Sequence, residues 1–141
     1  MSRIWQYFEA PGEEGEPLEP APSPWTTGRI VRIPDEHWTL IQRFAHTIDE
    51  RLASELESVS HGNPDNLSDE VDVSFERLAR LASFMQLVAA EVRLADPLIL
   101  TATDDVPDAL TNDEHASMLK SVAAVLSESV RLGQPFRAWV D

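Results

Sequence analysis

Three stretches of this chain carry mostly apolar residues at helical spacing, largely in steps of three and four, and no other feature restricts its folding as strongly. Trp38, Ile41, Ala45, Ile48, Leu52, Leu56 and Val59 form the first series, and Val71, Phe75, Leu78, Ala82, Met85, Ala89 and Val92 form the second. Met118, Leu119, Val122, Leu126, Ser129 and Val130 form the third. An α-helix turns once every 3.6 residues, so each series marks one face of a helix that has to be buried against another element.

The punctuation between the series agrees with helices. Pro34, followed by Asp35 and Glu36, suits a first turn, because proline has no N–H to lose there and carboxylates face the positive end of the helix dipole. This predicts one long helix from Asp35 to Ser58, closed by His61-Gly62-Asn63-Pro64. Ser68 is a candidate N-cap for the second helix, with Asp69, Glu70 and Asp72 in the first turn and Asp96-Pro97 as the stop. Between Leu81 and Leu94 this helix is apolar over most of its circumference, as Phe84, Leu87 and Leu94 fall off the main face. Thr111 to Glu114 matches a capping box that opens the third helix, and Gly133 and Pro135 end it. Residues 97–110, with the acidic run Asp104-Asp105-Val106-Pro107-Asp108, are too short and too broken to assign.

Residues 1–34 differ from the remainder. Arg3 to Phe8 and Arg29 to Ile33 have the aromatic and β-branched content of short strands. Between them Pro11, Pro17, Pro20, Pro22 and Pro24 forbid a continuous ladder. An isolated ribbon is marginal in water, so this one must pack on the helices if it forms. The expected fold is therefore mainly α. It is an antiparallel bundle of three main helices over residues 35–141, with the extended, proline-rich segment 1–34 packed on it as a short ribbon, in a single domain of 141 residues. Trp5, Trp25 and Trp139 are expected to cover an open side of the bundle.

The residue types present exclude several chemistries. There is no cysteine, which removes disulfides, thiolate zinc sites and cysteine nucleophiles. Gly12, Gly15, Gly28, Gly62 and Gly133 form no phosphate loop or dinucleotide fingerprint. No two of His37, His46, His61 and His115 stand four residues apart as helical metal ligands do, and His46 with Glu50 offers only half a site. The carboxylate pairs Asp49-Glu50, Asp69-Glu70 and Asp104-Asp105 lack any sign of the desolvation that acid–base catalysis requires. No enzyme activity, metal or cofactor is expected, and no continuous apolar run is long enough to span a bilayer.

Charge is the most unusual global property. The net charge is −14, of which −11 lies between Asp35 and Leu110, and Lys120 is the only lysine. Such a surface repels nucleic acid and anionic membranes. It attracts basic proteins, and a concentrated negative field speeds their association. The expectation is an acidic cytoplasmic binding protein of the immunity-protein or antitoxin kind, which neutralises a basic partner such as a toxin nuclease by covering its active-site surface. The contact residues predicted for it are Asp49, Glu50, Glu57, Asp69, Asp72, Asp104, Asp105 and Asp108. The alternative is a homodimeric helical scaffold that uses the surplus apolar surface of Leu81 to Leu94.

Overall fold

The computed structural model describes residues 4–12, 18, 25–61, 70, 71, 73–95 and 110–141. Among them the elements run β1 (Trp5–Glu9), β2 (Thr26–Thr27), β3 (Ile30–Pro34), α1 (Asp35–Ile48), α2 (Glu50–Val59), α3 (Phe75–Leu94), α4 (Asn112–Leu132) and β4 (Arg137–Val140). The fold is thus mixed: four helices and a four-stranded antiparallel sheet of order β2-β3-β1-β4. It is richer than the expected three-helix bundle with an attached ribbon.

The ribbon forms as expected, with Tyr7 opposite Arg32 and Phe8 opposite Val31. Its other edge is taken by the C-terminal segment, where Tyr7 stands opposite Trp139 and Phe8 opposite Ala138. Trp5 and Asp141 exchange backbone hydrogen bonds of 2.9 and 3.0 Å at the end of this pairing. Alternation then sorts the side chains. Phe8, Val31, Ile33 and Ala138, with Phe136 just before β4, face the helices and are fully buried. Trp5, Tyr7, Arg32, Arg137 and Trp139 face the other way and remain partly or fully exposed.

The expected first helix is two helices. Asp49 adopts an extended backbone, φ −152° and ψ 106°, that neither helix can contain. Its N–H still donates to the Ala45 carbonyl at 3.1 Å, while its carboxylate accepts the Leu52 N–H at 3.0 Å and caps α2. One residue therefore ends α1 and starts α2. Trp38 on α1 and Leu56 on α2 both remain core residues, so the apolar series continues across the break.

The expected second helix starts later than Ser68, which lies outside the described residues. Glu70 instead forms an antiparallel bridge with Arg137, and the Val71 N–H donates to the Phe136 carbonyl at 2.9 Å. The cap of α3 is Ser74, whose hydroxyl accepts the Arg77 N–H at 3.3 Å. α4 begins with the predicted capping box at Thr111 and Glu114 and ends on Gly133 at φ +64°, the left-handed conformation that glycine adopts without a Cβ clash. α3 and α4 lie against each other along their lengths. They bury Leu81, Met85, Val88 and Val92 on one side of the contact and Met118, Leu119, Val122 and Leu126 on the other.

The T-shaped contact of Phe8 with Trp38, centroids 5.4 Å apart, ties the sheet to α1. Gln6 is buried in the same layer and donates to the Ser60 carbonyl at 2.8 Å, while the Ser60 hydroxyl accepts the Trp38 indole N–H at 3.2 Å. These bonds fix the end of α2 against β1.

Candidate functional site

Three of the eight acids predicted to meet a partner, Asp49, Glu50 and Glu57, lie on α2 or its cap; Asp69, Asp72, Asp104, Asp105 and Asp108 lie outside the described residues. Glu50 and Glu57 are seven residues apart, two helical turns, and so share one side of α2. Asp49 and Glu50 are exposed and take part in no ion pair among the described residues. Glu57 is half-buried and sits 3.0 Å from the Nε2 of His46 on α1. The half-site suggested by His46 with Glu50 is therefore not what forms: the kink at Asp49 turns α2 so that His46 meets Glu57. Glu55, on the same helix, reaches Arg77 of α3 at 3.5 Å. The result is an acidic corner on a rigid support, with carboxylates at solvent on a helix pinned by Leu56 and Val59.

Two buried polar clusters tie α4 to the N-terminal half. In the first, the Arg29 guanidinium lies 2.7 Å from Glu128, with side-chain exposures of 9% and 7%, and it also donates to the Pro11 carbonyl. Arg131 approaches the other carboxylate oxygen of Glu128. The hydrogen bond from Arg131, then that from Arg29, hold the Glu128 carboxyl below its ordinary pKa against the opposing effect of burial. Gly12 leaves room for this cluster: at its φ of +128°, a Cβ would stand 2.6 Å from the Arg29 Nη2.

In the second cluster, the Nδ1 of His37 on α1 lies 3.1 Å from the Nε2 of His115 on α4, and both rings are buried. Asn112 Oδ1 lies 3.5 Å from the other ring nitrogen of His115. The tautomer that satisfies both contacts has the Nδ1–H of His115 directed at Asn112 and the Nδ1–H of His37 donating to the bare Nε2 of His115. Burial first, and the neighbouring His37 second, push the His115 pKa down to about 4. Near neutral pH this histidine carries no charge. The sequence gives no hint of the pair, because 78 residues separate its members. No group of three or more metal-ligating side chains occurs among the described residues.

The outward face of the sheet carries a third arrangement that periodicity did not reveal. Tyr7 and Trp139 stack with centroids 5.2 Å apart and planes 6° from parallel. Arg32 lies over the Trp5 ring at 3.6 Å, and Arg137 stands 5.5 Å from the Trp139 ring centroid and 3.3 Å from Glu9. Trp5 and Trp139 thus stand on the side of the sheet away from the helices, rather than capping the helical core; only Trp25 of the three packs against that core. The stack depends on the pairing of Arg137–Val140 with β1, which sets Trp139 opposite Tyr7 and which no local pattern encodes.

Comparison with known proteins finds no family model that matches the chain, and no curated protein or solved structure that resembles it significantly. No described helix is long and apolar enough to cross a membrane.

Proposed function

We propose that this chain is an acidic binding protein that neutralises a basic protein partner, such as a toxin nuclease, by covering the positive surface around its active site. The observation that carries this reading is the α2 corner, where Asp49 and Glu50 stand at solvent with no ion-pair partner among the described residues, in a chain of net charge −14. Ion pairing elsewhere on the described surface consumes carboxylates such as Glu55 and Glu57, whereas these two remain available to a partner's arginines and lysines. The buried titratable groups are bonded to one another inside the core, which suits a structural role better than a catalytic one. The setting in which such an inhibitor acts is the cytoplasm of the cell that makes the toxin. No cofactor and no nucleic acid takes part.

The test is association with the purified product of the neighbouring reading frame, measured by stopped flow at low and high salt. The rate constant is expected to fall by about tenfold or more between 0.02 and 0.5 M NaCl, as steered encounters do. Asp49→Asn with Glu50→Gln should slow association severalfold at low salt while leaving the dissociation rate nearly unchanged. A rate constant that ignores salt, or the lack of any complex with a basic partner, would overturn the reading.

A further inference from the structure

α3 packs chiefly against α4 and to a lesser extent against α1 and α2, and a further face of it is exposed among the described residues. On that face stand Phe75, Leu87 and Leu94, exposed to 41, 48 and 85%, with the small exposed residues Ala79, Ser83 and Ala90 between them. Single exposed apolar side chains are ordinary, but these three, taken with the small residues between them, follow one another at steps of four and three and so line one strip along the helix. Beside the strip a groove of about 230 Å³ lies between α3 and α4, lined by Ala79, Ala82, Ser83, Gln86, Ser127 and Val130.

The residues of α3 match in character when the helix is laid antiparallel on itself about its midpoint between Phe84 and Met85. In that register Phe75 lies opposite Leu94, Ala79 opposite Ala90, Ser83 opposite Gln86 and Glu76 opposite Arg93. Leu87 lies opposite Ala82, which lines the groove. Large apolar side chains meet at the ends, small ones in between allow close approach of the axes, and an acid meets a base twice. A twofold interface imposes this correspondence, because every contact of residue i with residue j is repeated as j with i. A parallel pairing would instead set Glu76 against Glu76 and Arg93 against Arg93.

We propose that this face is a self-association surface whose occupant is α3 of a second copy of the chain, antiparallel about a twofold axis between Phe84 and Met85. Leu87 of each copy fills the α3–α4 groove of the other, and Glu76 pairs with Arg93 across both ends. The existing contacts of these charges, Arg93 with Asp113 at 3.5 Å and Glu76 with Arg80 at 4.0 Å, are exposed pairs that rearrange at little cost. The inference is independent of the acidic-partner reading, since it uses neither Asp49 nor Glu50.

The chain has no cysteine, so introduced thiols report directly on register. Ala79→Cys combined with Ala90→Cys is expected to give, on mild oxidation of the full chain, a disulfide-linked species of twice 15.8 kDa. Neither single variant should do so, because position 79 of one copy lies about 16 Å along the axis from position 79 of the other. Light scattering should return the dimer mass for the unmodified chain and the monomer mass for Leu87→Asp with its helical circular dichroism retained. Glu76→Arg should weaken association by about tenfold, and adding Arg93→Glu should restore it. A monomeric unmodified chain, a dimer that survives Leu87→Asp, or a single cysteine variant that cross-links as well as the double one overturns the proposal.

Discussion

Glu128 and His115 both lie on α4, and each joins that helix to a segment far away in sequence. Removing Glu128 takes away the carboxylate that pairs with the buried Arg29 guanidinium, a loss that typically costs about 3 to 5 kcal/mol, whereas the intact pair contributes far less than that. Glu128→Ala is therefore expected to lower stability to urea by about that amount, and Arg131→Ala, which removes the exposed partner, by well under about 1 kcal/mol. His115 titrates in the opposite environment. With a folded pKa of about 4 against an ordinary 6.5, the unfolded chain takes up the proton first as pH falls. Its contribution is complete above pH 6.5 and is lost as pH drops through that window to 4, by at most about 3 kcal/mol. Urea melts at pH 7 and pH 4.5 should show the loss, and His115→Gln should make the two melts more alike.

Asp49 is a single element boundary with two duties. It caps α2 and, in the proposed function, meets the partner, and substitution separates these. Asp49→Ala should cost about 1 kcal/mol as the cap is lost, while Asp49→Asn keeps a capping oxygen and should cost little. Thermal melts of the two variants check this. The boundary was legible in principle, since Asp49 is a good capping residue and follows the β-branched pair Thr47-Ile48, but the unbroken apolar series across it argued for one helix. α4 was readable from end to end because its capping box and its terminal glycine are local signals. The start of α3 was not. Ser68 and Ser74 are equally good caps locally, and what favours Ser74 is the pairing of Glu70 and Val71 with the strand end at Phe136 and Arg137, which no local pattern encodes. β4 escaped notice for the same reason: four residues are too few to show a period, and they become a strand only because Tyr7 and Phe8 lie beside them.

At the level of the whole molecule, the sheet is assembled from both ends of the described chain, and β1 is its shared inner strand. Phe136 holds this junction, fully buried and 6.4 Å from Phe8 between ring centroids. Phe136→Ala is expected to cost about 3 to 5 kcal/mol, as for other large aromatic side chains removed from a core, and denaturant unfolding checks it. The global charge was plain from composition, yet its placement was only partly so: of the predicted contact acids, Glu57 is engaged by His46, a pairing that depends on the turn at Asp49.

The position of β1 also bears on how the protein is made. β1 leaves the ribosome long before β4, so until β4 follows it has an open edge, and Phe8 lacks its neighbour Phe136. Until the last residues of β4 arrive, the nascent protein offers a bare strand of the kind that holding chaperones grip and that neighbouring chains can pair with. A chain that lacks β4 keeps that edge of β1 open, and an open edge is a template for pairing with other chains.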